Sequence, residues 1–175
     1  RDASFTHNRT GIYGTMFIAA AISCAQVMKD KEEIIRTALK YVPQESRFFI
    51  RSRICLDEIL RASDWEDGYK KINNILNEYG HCRIYQEVGM MINSFLFANN
   101  IYEGICIQVS QGADTDSFGA SVGSLLGSYY GPEGLDSKWL EIFNDDIHTG
   151  MAWFFERSVS KLAKRMGRLP VNFSK

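Results

Sequence analysis

Proline is scarce: Pro43, Pro132 and Pro170 are the only three in 175 residues, so long stretches can run as uninterrupted helix. No Ser/Gly tract, charge block or internal repeat is present, which argues against flexible linkers and stacked repeats. Histidine is equally sparse (His7, His81, His148), and Cys24, Cys55, Cys82 and Cys106 never fall into a CxxC spacing. That excludes an ordinary cysteine and histidine zinc site. The cysteines lie mostly in apolar stretches and read as reduced, structural thiols, which points to a reducing, cytoplasmic setting. Neither charge is in excess: 20 Lys and Arg face 21 Asp and Glu, for a formal net charge of −1. The footprint expected of a nucleic-acid or anionic-membrane partner is therefore missing. The apolar stretch 12–28, IYGTMFIAAAISCAQVM, falls short of the roughly 20 residues of a membrane span and carries Thr15, Ser23 and Gln26. Apolar on nearly every side, it is predicted to be the buried helix of a large core. The chain opens on Arg1 and Asp2, without Met or a signal peptide, so a fragment of a longer protein is expected.

What is present is enough apolar matter, 45% of residues, for one core, and a single domain over 1–175 is expected. Helix signals recur. Asp30 precedes KEEIIRTALKYV with Glu32 and Glu33 in its first turn and Pro43 beyond its end. Residues 46–63 are amphipathic, Ser63 and Glu66 form a capping-box pattern, and Gly80 is placed to end the helix that follows. Further helices are predicted over 87–98, 102–109 and 151–166. Strand alternation is hard to find, although CIQVS reads either way, and the fold class is read as all-α.

The stretch QGADTDSFGASVGSLLGSYYG holds two unusual patterns. Gly119, Gly123 and Gly127 recur every four residues on one helix face. Each costs about 1 kcal/mol of helix propensity against alanine, which close packing of a neighbouring backbone would offset. Asp114 and Asp116 stand one residue apart; in an extended segment both carboxylates point the same way, and Ser117 adds a hydroxyl at the helix start. Three hard oxygens suit Mg²⁺ or Mn²⁺. The alternative on spacing alone is that Asp116 caps the helix while Asp114 faces solvent.

The same stretch resembles the C-terminal motif of the ADP-ribosylglycohydrolase family, which includes dinitrogenase reductase-activating glycohydrolases and J-crystallins. There Gly-x-Asp-x-Asp-[Thr or Ser] leads into an Ala- and Gly-rich helix ending in aromatic-Gly. THNRTGIYGTMFIAAAISCA is similar to the family segment in which a histidine precedes an alanine-rich helix. The resemblance implies an all-α bundle that binds two divalent cations, Mg²⁺ or Mn²⁺, below an ADP-ribose cleft. It carries metal ligation onto Asp114, Asp116 and Ser117, and substrate binding onto His7. The implied activity is hydrolysis of the bond joining ADP-ribose to a protein or small-molecule acceptor. A non-catalytic, crystallin-like member is the alternative.

The family's acidic Thr-Asp-Asp motif does not occur here, so the resemblance covers the C-terminal part of the family pattern. The catalytic residue is then expected outside these residues, the chain alone is expected to be inactive, and exposed apolar surface is expected to favour association. Asp145 and Asp146 read as a helix-terminus or surface pair, and His148 as exposed. Tyr79, His81, Arg83 and Tyr85 gather in YGHCRIYQEVG, where aromatic faces and a cation suit a dinucleotide-like ligand.

Overall fold

In the computed structural model the described residues are 1–150, Trp153 and 155–168. They divide into two units, 1–135 and 136–175. Among them every regular element is helical. The first unit holds α1 (Thr10–Ala25), α2 (Lys31–Leu39), α3 (Arg47–Ile59), α4 (Trp65–Leu76), α5 (Ile84–Phe97), α6 (Ile101–Ser110) and α7 (Thr115–Tyr130). Helix α5 is its axis, packed by α3, α4, α6, α7, α1 and α2.

Local chemistry sets most helix starts. The side chains of Asp30, Ser46, Asp64 and Asn100 accept from the backbone N–H three residues on, each satisfying a donor that the helix itself leaves open. The capping residue of α4 is Asp64, not Ser63: Asp64 accepts from Asp67 N at 2.8 Å. Ser63 serves it from outside, its hydroxyl donating to Asp64 at 3.0 Å. Helix α4 also ends at Leu76, short of Gly80. The buried Gln86 amide donates to the carbonyls of Leu76 (2.8 Å) and Tyr79 (2.7 Å), closing the helix end that a C-terminal glycine would otherwise serve.

Two packing expectations are overturned. Helix α1 is not buried on all sides: Gly14, Phe17, Ala21 and Ala25 form its buried stripe, while Thr15, Met16, Ala19 and Ser23 are exposed. The glycine face of α7 is not a site of close approach. A Cβ on Gly119 or Gly123 would meet Val109 or Ile105 at ordinary contact distances, 3.8 and 3.7 Å, and one on Gly127 would meet nothing within 4 Å. The tight crossing belongs to Gly104 of α6, where a Cβ would lie 2.2 Å from Leu126 Cδ1 and 2.9 Å from Ala98 Cβ. What holds α7 is the adjoining face, Phe118, Val122, Leu125 and Leu126, all buried. Its end is pinned by polar bonds: Tyr129 Oη donates to Lys29 O at 2.7 Å and Tyr130 Oη to Ala98 O at 2.8 Å.

In the second unit, α8 spans Ser137–Phe143 and α9 spans Val159–Met166. The helix expected over 151–166 therefore starts later, at the cap Ser158; Met151, Ala152 and Phe154 lie outside the described residues. Asp145 accepts from Ser158 Oγ (2.5 Å), Ser160 N (2.7 Å) and Ser160 Oγ (2.9 Å), tying the turn after α8 to the start of α9. These bonds, led by the Ser158 hydroxyl, hold the Asp145 carboxyl below its ordinary range. Asp146 pairs with Arg157, which also reaches the exposed His148. Both aspartates are thus spent on local structure, as the sequence suggests.

Candidate functional site

Three chain segments meet around one cavity of about 470 Å³. The first carries His7. A 3-10 turn over Asp2–Phe5 leads into it, and its backbone N–H donates to Ala3 O at 2.9 Å. The ring Nδ1 sits 2.7 Å from Thr6 Oγ1. It lies against the start of α1 at Gly11, where a Cβ would stand 2.7 Å from His7 Cδ2; glycine is what lets the imidazole close onto the helix. Thr15 and Phe17 of α1 continue the same wall.

The second segment runs from Cys82 into α5 and brings Arg83 and Glu87 to the cavity. The third is α7, whose Ser121 hydroxyl donates to Glu87 Oε1 at 2.8 Å and fixes that carboxylate on the wall. Neither Glu87 nor Ser121 stands out in the sequence. The available signal is Ser117 and Ser121 at i and i+4, which places both hydroxyls on one face of α7.

The aspartate pair stands beside this cavity. Asp114 is the residue before α7 and its side chain makes no capping bond. Asp116 already lies in the first turn, so the pair is not the extended segment expected from the spacing. The carboxyls meet nonetheless. The neighbouring Asp114 side chain leads in holding the Asp116 carboxyl below the usual carboxylate range, with the N–H groups of Asp116 and Ser117 adding to it. Cys82 marks the distance to the cavity wall. Its thiol is pushed up by desolvation, then by the charge of Asp114 and a hydrogen bond to it, with Asp116 adding less and Arg83 opposing.

The structure therefore brings His7 onto the cavity lining and places Asp114 and Asp116 against Cys82, which lines the same cavity. Ser117 follows in the first turn of α7. The aromatic group expected around 79–85 is divided. Tyr79 stacks on the buried Tyr85, with centroids 4.1 Å apart and planes at 18°, so those two faces serve each other. Arg83 lines the main cavity, while Tyr79 and His81 line a separate recess of about 210 Å³.

The donor set fits a hard divalent cation in kind: two convergent carboxylates, with a hydroxyl one residue on. Among the described residues no group of three or more His, Cys, Asp and Glu comes together to hold a metal. The four cysteines are free thiols.

The sequence matches the profile of the ADP-ribosylglycohydrolase family over residues 1–168. The chain belongs to the ADP-ribosylglycohydrolase family. No curated protein and no solved structure matches it. Family membership makes glycoside hydrolysis of ADP-ribosylated substrates, generally metal-dependent, the frame for this cavity. No described helix is long and apolar enough to cross a membrane.

Proposed function

We propose that the protein hydrolyses the glycosidic bond between ADP-ribose and a protein or small-molecule acceptor, at a Mg²⁺ or Mn²⁺ centre to which Asp114, Asp116 and Ser117 contribute. The observation that carries the reading is that His7, Arg83 and Glu87 line one cavity, whose 470 Å³ is in the range of small-molecule sites, with Asp114 acting on Cys82 of the same lining. The family match runs across both units, which supports treating 1–175 as part of one ADP-ribosylglycohydrolase domain.

When bound, the cation supplies a Lewis-acidic centre for orienting ribose hydroxyls and water. The chain's own residues bind and aim the substrate. His7 offers a ring nitrogen to ADP-ribose at the cavity mouth, and Arg83 offers a guanidinium to the diphosphate. Glu87, held by Ser121, is a fixed acceptor for a ribose hydroxyl. Cleavage at the anomeric carbon builds positive charge on the ribose, so the Glu87 carboxylate on the cavity wall, not engaged by the cation, favours the transition state over the ground state. The balanced charge and free thiols are in keeping with a cytoplasmic enzyme.

The test is release of ADP-ribose from arginine- and serine-linked substrates, with Mg²⁺ or Mn²⁺ supplied. Asp114→Asn is expected to lower kcat/KM by about 100-fold, the upper range for loss of a group that supports a metal. No release from either linkage by the unaltered protein would sink the hydrolase reading.

A further inference from the structure

Beneath the Asp114–Asp116 loop lies a buried polar cluster that the reaction as described does not use. Gln111, the residue that ends α6, is 3% exposed, and Asn93, Ser94 and Gln108 are each 0% exposed. Gln111 Nε2 donates to Ser94 Oγ at 2.8 Å and to Met90 O at 3.3 Å, and its Oε1 accepts from Asn93 Nδ2 at 3.0 Å. The same Asn93 amide donates to Trp65 O, the first residue of α4, at 2.8 Å. Ser94 Oγ lies 2.9 Å from Gln108 Oε1. One side chain is thereby tied to α5 and, through Asn93, to α4.

Such a cluster is a costly way to fill a core. Buried amides are favourable only when their groups are bonded, and here Asn93 Oδ1 and Gln108 Nε2 find no partner. What directional bonds provide that apolar packing does not is a fixed location. The chain directly after Gln111 needs one. Gly112 (φ 78°) and Ala113 (φ 63°) both lie in the left-handed region, which for alanine costs about 1 kcal/mol or more. A Cβ on Gly112 would meet nothing within 4 Å, so neighbouring packing does not hold the turn at that residue. It is held from its ends, by Gln111 before it and by Phe118, 2% exposed, after it. The two aspartates lie between these anchors.

We propose that Gln111, clamped by Asn93 and Ser94, is a positioning residue that fixes where the Asp114 and Asp116 carboxylates converge. The inference rests on the reading of those carboxylates as cation ligands, and its test separates the two. Mn²⁺ is titrated into the protein without substrate and followed by electron paramagnetic resonance, alongside amide hydrogen exchange over residues 113–117 and thermal unfolding. Gln111→Leu is expected to weaken Mn²⁺ binding about tenfold, the lower range for a group supporting metal ligands, and to speed exchange in the loop. In turnover the Mn²⁺ activation constant rises by the same factor while kcat at saturating Mn²⁺ is retained. Leu126→Ala, fully buried in α7 and outside the cluster, is the structural control: it lowers the unfolding midpoint and leaves the Mn²⁺ affinity in place.

Should Gln111→Leu fail to fold, Ser94→Ala removes one of its partners and is expected to show the same loop and metal effects, smaller in size. Unchanged exchange and unchanged Mn²⁺ affinity in a folded variant overturn the positioning role. An unaltered protein that neither binds Mn²⁺ nor releases ADP-ribose overturns the hydrolase reading instead, and the loop exchange of the variants then decides the role of Gln111 alone.

Discussion

Helices α1 and α5 look alike on paper and are packed in opposite ways. In α1, TGIYGTMFIAAAISCA, four of 16 residues are buried; in α5, IYQEVGMMINSFLF, ten of 14 are. The helix with more polar side chains is the more deeply buried. Its amides and hydroxyl find partners inside the bundle: Gln86 closes α4, and Asn93 and Ser94 hold Gln111. Apolar character on every side shows only that burial would be tolerated. Whether it happens depends on how many neighbours surround the helix, and α5 is packed by six. The outer side of α1 instead leaves Met16 38% exposed, beside an apolar groove of about 370 Å³ that also includes Ala20, Cys24 and Tyr41.

The most severe way to break this contrast is truncation. Ile92→Ala in α5, at a site with 0% exposure, is expected to cost about 2–5 kcal/mol from lost transfer energy and a cavity. Met16→Ala in α1 is expected to stay within about 0.5 kcal/mol. Urea midpoints for the two variants check this, and equal losses would mean that the outer face of α1 is covered in solution.

A finer probe adds a methyl group instead of removing several. Gly89 in α5 is boxed in: a Cβ would lie 2.8 Å from Ile72 Cγ2, 3.3 Å from Leu76 Cδ1 and 3.6 Å from Cys55 Sγ. Gly89→Ala is expected to destabilise by about 1–3 kcal/mol through overpacking. Gly14 in α1 meets chiefly Ile84, at 2.5 Å from Cδ1, and that side chain is only partly buried. Its movement, with the helix propensity gained, is expected to hold Gly14→Ala to a loss of about 1 kcal/mol or less. Calorimetric midpoints rank the pair.

The smallest effect is expected to have the opposite sign. Gly127 in α7 faces open space, so Gly127→Ala should raise stability by up to about 1 kcal/mol through helix propensity. A fall in the unfolding midpoint would instead restore the close-approach reading of the glycine face.

Much of this was legible in the residues. Asp30 announces a helix start because a short side chain and the amide three residues on interact locally; the caps at Ser46 and Asn100 were not read from the residues. The Asp114, Asp116 and Ser117 trio is legible because its members are sequence neighbours, as is the His7 segment ahead of α1. The capping pattern at Ser63 was legible only to within a residue: Asp64 and Ser63 both offer oxygens, and the fold chose Asp64.

The pairing of Glu87 with Ser121, and of Gln111 with Asn93 and Ser94, was not legible, since those partners stand 34, 18 and 17 residues apart. Nor was it readable which small residues mark a tight crossing. A glycine's missing side chain matters only where another helix arrives, and one arrives at Gly104 and not at Gly127. Sequence by itself determined the all-helical class and some helix starts, because each depends on atoms a few residues apart. The tertiary structure decided which apolar helix becomes the axis and which polar groups are buried beside the aspartate loop. Those outcomes depend on neighbours brought together by the packing of the whole bundle.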